Sequence, residues 1–352
     1  MYNRKIGVRK MDEKIKITIS KNVLAKLEND CDKFIFHKAS GEINRNLFYN
    51  TLILNYYEQF SSVEEAVKND LKKIISTYTI EDEQNLADDI IKYLSNKELD
   101  SMSTATSILN IKPTKMTDDA VNYINSNLLS SSSISSYYRR LLESYAKFPQ
   151  FKREQIICKP IYNKICSAIK RNKKVYILLK NGNEIKEASI YTIKASSDEL
   201  YNYLLFESQS GHPCTLRLSK IKSIDLINAS RNISIGNKFL FEKQIRYGIQ
   251  YPIYSLKEEP VKVRFTEKGL KMFKKIYLYR PIPDSMENNI YTFTCSHYQI
   301  VYYFKRFGGE AIIISPEKLN KHLQYFYSNS YQDYLEVLDN DDILEVEMAI
   351  ER

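Results

Sequence analysis

The chain has 352 residues, of which 43% are hydrophobic and 27% charged, a composition typical of folded domains and inconsistent with a disordered chain. Its formal net charge of +9 favours an anionic partner such as nucleic acid, although 43 acidic residues accompany the 52 basic ones. The sequence contains 28 Tyr and no Trp, and tyrosine rings can stack on bases as well as pack in a core.

The sequence carries no recognisable catalytic or metal-binding motif. The five cysteines are scattered without a CxxC pair, and no apolar run approaches the roughly 18 residues that a membrane span needs. The GxGxxG, GxxxxGK[ST], GxSxG and HExxH motifs are also missing. We therefore expect a soluble cytoplasmic binding protein with reduced thiols, and not an enzyme. We expect no catalytic residue, no metal, no cofactor and no membrane partner.

The first elements follow the order strand, helix, turn, helix. Residues 14–19 alternate between polar and apolar side chains, which predicts a half-exposed strand. Ser20 is placed to cap a helix, and a break at residues 39–41 precedes a second helix. This order over residues 1–61 is that of a ribbon-helix-helix domain, whose single strand must pair with a second copy.

The outward side chains of this strand would be Lys14, Lys16 and Thr18. In ribbon-type repressors that face reads base edges in the DNA major groove. Asn44 and Arg45, near the start of the second helix, are candidates for phosphate contacts. The alternative is that the ribbon serves only for dimerisation, and that DNA is not a partner.

Residues 62–150 are predicted to be helical, with two amphipathic helices over 62–98 and a candidate second ribbon-helix-helix unit after them. Residues 107–111 indicate a short strand, and residues 134–148 a helix. Thr117 or Asp118 is placed to cap a helix between the two. The sequence leaves open whether the ribbon pairs with this internal copy or with a second chain.

Residues 151–232 predict one helix over 154–171 and then five short strands with hairpin spacing. Asn181-Gly182-Asn183 is a tight turn between the first two strands. Five strands over residues 174–227 favour a small, strongly bent β-barrel.

Residues 233–352 predict an α/β extension. The aromatic stretch from Tyr298 to Phe307 is interpreted as helix core, with a docking surface for a protein partner as the alternative. The remaining predictions are strands near 261–265 and 291–295, helices near 266–275, 296–307 and 316–327, and an acidic stretch from Asp333 to Glu347.

The central strands resemble the WYL domain, an Sm-like barrel of bacterial regulators. Tyr203-Leu204 matches the Tyr-Leu of the name, with Asn202 in place of Trp, and residues 216–221 (Leu-Arg-Leu-Ser-Lys-Ile) resemble the family's Phe-Arg-Leu-Asp-Arg-Ile segment. Residues 307–319 resemble the extension that often follows this domain. The expected fold class is therefore α+β. It comprises an N-terminal ribbon-helix-helix and helical region, a central five-stranded Sm-like (WYL) β-barrel, and an α/β C-terminal extension.

A ribbon-helix-helix start joined to this domain resembles the WYL-domain accessory proteins encoded beside type VI-D CRISPR effectors. The resemblance implies a homodimer that binds single-stranded RNA, enhances the effector RNase and acts in antiviral defence. Most WYL proteins are instead transcriptional regulators. That alternative implies DNA binding through the ribbon-helix-helix and a nucleotide-like ligand in the barrel.

The resemblance places Arg217 on a barrel strand, where its guanidinium can bind phosphate or stack on a base. The alternative is a structural salt bridge with Glu207 or Asp225. Lys220 and Lys222 follow two residues apart, as phosphate contacts on one face if the strand continues, or as solvated surface.

Three tyrosines fall on predicted barrel strands and are candidates for RNA stacking: Tyr176, Tyr191 and Tyr203. The alternative for each is a half-buried core position. His212, in a Gly-His-Pro turn, is a further candidate RNA contact.

Overall fold

The computed structural model describes residues 14–76, 106–129, 133–251 and 259–337, together with Leu86 and Ile90. It has the expected mixed α+β class. None of the helices in these ranges combines the length and the apolar character that crossing a lipid bilayer requires. The chain divides into two compact units. The first contains Met1–Ala195, Leu200–Gln209 and Leu216–Asn232, and the second contains Ser196–Glu199, Ser210–Thr215 and Ile233–Arg352.

The first unit begins with strand β1 (Ile15–Ser20) and helices α1 (Lys21–Lys33) and α2 (Arg45–Ser76). The Ser20 hydroxyl accepts a hydrogen bond from the Val23 amide (3.3 Å) and caps α1, as the sequence predicts. Helix α2 runs past residue 61 without a break, because no Gly or Pro interrupts it. The prediction of a separate helix start after residue 61 is therefore wrong, and residues 77–98 lie outside the described residues apart from Leu86 and Ile90.

Strand β1 pairs within the same chain. It is antiparallel to β2 (Thr106–Ile111), with Ile15 opposite Ile111 and Ile17 opposite Leu109. The inner face of this ribbon is buried and apolar, whereas Lys16 and Thr18 are exposed. The alternation of polar and apolar side chains therefore gives the ribbon one core face and one solvent face.

Beyond β2, α3 (Asp118–Tyr123) continues into a π-helical turn, Ile124–Leu128, and Ser133 caps α4 (Ile134–Lys147). Thr117 does not cap α3 with its side chain, since its hydroxyl donates to the side-chain oxygen Oδ1 of the buried Asn50 instead (2.5 Å). The core around these helices is rich in tyrosine. Its fully buried rings include Tyr49, Tyr56, Tyr137, Tyr138 and Tyr145.

The single helix predicted over 154–171 is wrong. Two helices replace it, α5 (Gln150–Ile157) and α6 (Lys159–Lys170), and the backbone leaves the helical conformation at Cys158. Pro160 lies in the first turn of α6, the helical position that tolerates the missing amide and the fixed φ of proline.

Five strands follow in one sheet of the described residues, in the order β6-β5-β4-β3-β7. The β3–β4, β4–β5 and β3–β7 pairs are antiparallel, and bulges interrupt each of them. No recorded pairing joins β6 to β7 in the described residues, so closure into an Sm-like barrel stays a prediction. The strands are β3 (Lys173–Leu179), β4 (Glu184–Ala195), β5 (Asn202–Glu207), β6 (Pro213–Arg217) and β7 (Ile221–Ser230).

The second unit packs helices against a sheet of order β11-β8-β10-β9 in its described residues. Its core is aromatic and includes Phe265, Phe273, Phe293, Tyr303 and Phe304. The sequence did not predict α7 or β11. Only the first five residues of the predicted acidic stretch, 333–337, are described, and they belong to the last helix. The elements are α7 (Ile235–Tyr247), β8 (Val261–Phe265), α8 (Glu267–Lys275), β9 (Ser285–Glu287), β10 (Ile290–Phe293), α9 (His297–Phe304), β11 (Ala311–Ser315) and α10 (Glu317–Val337).

Candidate nucleic-acid interface

A buried carboxylate holds the WYL-like segments together. Glu154, on α5, has no solvent exposure and accepts three hydrogen bonds. Two come from the backbone and side-chain nitrogens of Asn202 (2.6 and 2.8 Å), and one from the Ser219 amide (3.0 Å). Burial raises the pKa of the Glu154 carboxyl, and these hydrogen bonds oppose the rise. Glu154 thereby fixes the start of β5 and the turn after β6 to the same helix.

Asn202 is a polar anchor at the start of β5. Its side-chain nitrogen also donates to the Phe151 carbonyl (2.7 Å), and its carbonyl oxygen accepts from Gln155 (2.9 Å). The side chain is fully buried, so these bonds satisfy polar groups that water cannot reach. Hydrogen bonding to α5 therefore fixes Asn202 at the start of β5.

Arg217 stacks on Tyr201. The guanidinium carbon lies 4.2 Å from the ring centroid, within the range of cation–π contact. Tyr201 directly precedes Asn202, and Arg217 lies two residues before Ser219, so the Glu154 contacts fix both chain segments. Sequence reasoning missed Tyr201, although its position beside the Asn-Tyr-Leu motif was the available signal.

The guanidinium of Arg217 has no ion-pair partner among the described residues. In the described residues it forms no ion pair with Glu207 or Asp225, and Asp225 binds Lys164 instead (2.7 Å). The Arg217 Nε atom is buried and has no hydrogen-bond acceptor there. A stacked cation with unused donors is the arrangement that binds phosphate or the edge of a base.

Two exposed lysines follow Arg217 along the chain. Lys220 is exposed at the end of the 3₁₀ turn Leu218–Lys220, and its carbonyl accepts from the Lys180 amide (2.9 Å). Lys222 is exposed on β7. The two lysines were expected on one face only if the strand continues, and that condition is not met, because the turn separates Lys220 from β7.

Lys180 was not predicted from the sequence. Its ammonium donates to the Phe34 carbonyl (2.7 Å) and lies 4.9 Å from the centroid of the Phe36 ring. Desolvation there lowers the pKa of Lys180, and the nearby charge of Arg217 lowers it further. Lys180 therefore ties the β3–β4 hairpin to the end of α1 while contributing to the positive cluster.

The predicted tyrosines do not share one environment. Tyr176 lies on β3 beside two acids, its register partner Asp225 and Glu184, which accepts a hydrogen bond from the phenol and raises its pKa. This surrounding charge is unfavourable for an anionic strand. Tyr191 on β4 and Tyr203 on β5 are half-buried. His212 is an exposed residue of the second unit.

Of the residues predicted to contact DNA from the ribbon, some are exposed and others already bind neighbouring side chains or backbone. Lys14, Lys16 and Thr18 are exposed, and Lys16 lies opposite Asn110 in the ribbon register. The two candidates at the start of α2 already have partners. The Asn44 side chain caps the helix by accepting from the Leu47 amide (3.1 Å), and Arg45 binds Glu28 (2.9 Å).

In the described parts of the chain, no group of His, Cys, Asp and Glu side chains forms a metal-binding cluster.

The fold is shared with a solved protein. No protein-family model and no curated protein matches the sequence. The crystal structure of a CRISPR Cas-related protein superposes with a TM-score of 0.69 at 19% identity, over 96% of this chain and 97% of that one. Proteasome accessory factor B/C of Arthrobacter aurescens aligns with a TM-score of only 0.25 at 12% identity, over 65% of this chain and 37% of that one, and nothing follows from that match. The chain thus has the overall fold of the CRISPR Cas-related protein.

Proposed function

We propose that this chain is a non-catalytic accessory protein that binds single-stranded RNA and enhances an RNA-guided type VI-D CRISPR RNase. The observation that carries the proposal is Arg217, stacked on Tyr201 with no ion-pair partner in the described residues. An arginine fixed on an aromatic ring is preorganised to bind a phosphate or to stack under a base.

The charges around Arg217 suit capture of an RNA backbone. Lys220 and Lys222 are exposed and supply replaceable phosphate contacts, and the formal net charge of +9 attracts a polyanion at longer range. Aromatic and guanidinium planes stack on unpaired bases, which a duplex keeps inside its own stack. The expected ligand is therefore single-stranded RNA, held with little sequence preference.

The CRISPR part of the proposal rests on the fold shared with the CRISPR Cas-related protein and on the motif resemblance described above. Under this proposal the chain acts in antiviral defence as a homodimer, and its central sheet closes as an Sm-like barrel. The RNase supplies the chemistry, and this chain supplies RNA affinity.

The test is fluorescence anisotropy with a single-stranded RNA and a duplex DNA of equal length, at two salt concentrations. The variant Arg217→Ala/Lys220→Ala should bind RNA more weakly, and each lost phosphate contact should reduce the slope of log affinity against log salt by about 0.7. The charge-matched control is Lys262→Ala/Arg264→Ala, since both side chains are exposed on β8. An unchanged affinity and slope in the Arg217 variant would rule out Arg217 and Lys220 as RNA contacts.

The accessory role is tested by measuring target cleavage by the effector, with and without the chain.

A transcriptional regulator is the second candidate. The exposed side chains of the ribbon, including Lys16, Thr18 and Asn110, have the polar character that reads base edges in a major groove. A preference for duplex DNA that Lys16→Ala abolishes would favour this function over RNA binding.

A further inference from the structure

A groove in the second unit has an aromatic and cationic lining. It lies between α9 and the first half of α10 and has a volume of about 710 Å³. The side chains in its wall are mainly tyrosines, lysines and histidines, and no Asp or Glu is among them. The groove belongs to neither the Arg217 cluster nor the ribbon.

The tyrosines of this groove are not needed for the core. Helix α9 packs its opposite face inward through Ile300, Tyr303 and Phe304, which are fully buried. Tyr298 and Tyr325 remain 64% and 68% exposed. The interpretation of residues 298–307 as helix core is thus correct for one face of α9 only, and large aromatic side chains at exposed positions of a groove indicate binding.

Tyr298 and Tyr302 form a stacking platform. Their rings lie one helical turn apart with an interplanar angle of 9° and centroids 6.2 Å apart, so they face the same direction. Tyr279 packs edge-on against Tyr302 (5.2 Å, 86°), and Tyr251 contacts Tyr298 (6.1 Å). These contacts support both rings, and the largely exposed ring of Tyr298 is able to stack on an unpaired base.

The charges beside this platform are positive. Lys305 lies over the Tyr302 ring (5.0 Å), and Lys321 forms an ion pair with Glu317 (2.8 Å). Lys318 has no acidic partner among the described residues. A second copy of this groove would bring like charges together, whereas a polyanion would neutralise them. Charge and aromatic faces together favour an RNA strand over a protein partner.

We propose that the groove between α9 and α10 is a second RNA-binding site, in which the exposed Tyr298 ring stacks on a base, Tyr302 supports that ring, and Lys305 and Lys318 contact the backbone. This inference rests on the proposed function, since it assigns part of the same RNA to the second unit. It also assigns a role to a region that the sequence analysis treated as core or as a protein-docking surface.

The experiment measures binding of single-stranded RNA carrying 2-aminopurine to the full chain, by anisotropy and by quenching of the base. Tyr298→Ala/Tyr302→Ala should weaken binding about tenfold to a hundredfold and abolish the quenching. Tyr298→Phe/Tyr302→Phe keeps the aromatic faces and should bind normally. The matched control is Tyr331→Ala/Tyr334→Ala, which removes two tyrosines of α10 that are 62% and 72% exposed and lie outside the groove.

The outcomes separate this site from the Arg217 cluster. Normal binding and quenching in Tyr298→Ala/Tyr302→Ala, with binding lost in Arg217→Ala/Lys220→Ala, would overturn the groove and leave the proposed function standing. The reverse result would support the groove and remove the Arg217 cluster. Failure of the unmodified chain to bind RNA would overturn both.

Lys318→Glu, an exposed substitution that spares the platform, should also weaken binding if the alanine variant folds poorly. Loss of a dimer in the alanine variant, with unchanged RNA affinity, would make the groove a contact between copies and overturn the inference.

Discussion

Arg153 and Glu154 are consecutive residues of α5 whose buried charges are satisfied by different parts of the first unit. The Arg153 guanidinium binds both carboxylate oxygens of Asp30 on α1 (2.6 and 2.8 Å). Glu154 accepts from Asn202 and Ser219, at the start of β5 and after β6. The two side chains therefore connect the N-terminal helices to the five-stranded sheet through a single turn of helix.

The Asp30–Arg153 pair predicts a large cost for removing one partner. Asp30→Ala leaves Arg153 as a buried unpaired cation and should lower the free energy of unfolding by about 3–5 kcal/mol. Asp32→Ala is the control in the same helix. Its carboxylate is 62% exposed and binds His37 (3.0 Å), so we expect a loss of less than about 1 kcal/mol. Urea denaturation followed by circular dichroism measures both, and equal effects would contradict the prediction.

Asn202 offers a second test, because replacing this buried side chain by Trp should be harmful here. Asn202→Trp enlarges a fully buried side chain and removes its bonds to Glu154 and Phe151. Overpacking alone costs about 1–3 kcal/mol, and the unpaired buried groups add to it. Tyr203→Trp, at the half-buried neighbouring position, should cost less. A melting temperature preserved in Asn202→Trp would mean that the Glu154 contacts contribute little to stability.

The sequence predicted elements well where local signals are strong. The alternation of residues 14–19 and the cap at Ser20 correspond to β1 and α1, and the hairpin turn at 181–183 separates β3 from β4. Prediction from the sequence failed where tertiary contacts determine the conformation of the backbone. The break at Cys158 between α5 and α6 and the 3₁₀ turn before Lys220 interrupt patterns that look continuous.

The candidate site was predictable only in part for the same reason. Arg217 was found by resemblance, but its partner Tyr201 lies outside the matched letters. The positions of Lys180 and Glu154 are set by the fold, since their hydrogen bonds to Phe34 and Ser219 span 146 and 65 positions of the sequence. Exposure along one helix face, which distinguishes Tyr298 from Tyr303, is likewise set by packing against the rest of the unit.

Glu154 predicts a specific pH dependence. Its folded-state pKa is raised by burial above the ordinary Glu value of 4.5, so the native state binds this proton more tightly than the unfolded state. Protonation of Glu154 therefore stabilises the fold fully at a pH below the pKa of the unfolded state. This stabilisation is lost as the pH rises through the pKa of the folded state. The stability of the unmodified chain relative to Glu154→Gln should therefore fall with rising pH in that window and level off above it. An opposite slope in urea titrations across this range would contradict the assignment.

The cysteines should differ in reactivity. Burial raises the pKa of Cys31 to about 11 and that of Cys158 to about 12, whereas Cys166 is exposed. Iodoacetamide at pH 8 should modify Cys166 first and leave Cys31 and Cys158 intact until urea unfolds the chain. Peptide mass spectrometry identifies each site, and Cys166→Ser should remove the fast phase. Rapid native-state modification of Cys158 would contradict the buried position after α5.

The ribbon register can be tested with a disulfide. Lys16 and Asn110 are directly opposite on the exposed face, so Lys16→Cys/Asn110→Cys in a Cys166→Ser background should form a bond within one chain. Oxidised protein should then migrate as a monomer on non-reducing gels. Lys16→Cys/Thr106→Cys places the thiols four positions out of register and should not crosslink. A dimeric band for the first pair would mean that the strands exchange between chains.

A ribbon built from two different strands of one chain has only approximate two-fold symmetry. Thr18 lies opposite Ile108, and Lys16 lies opposite Asn110, so each half of the outer face presents its own side chains. In a ribbon shared by identical chains every substitution appears twice, and a bound duplex must be palindromic to match. Here each half can diverge separately, and the face is suited to a non-palindromic target or to a different task on each side.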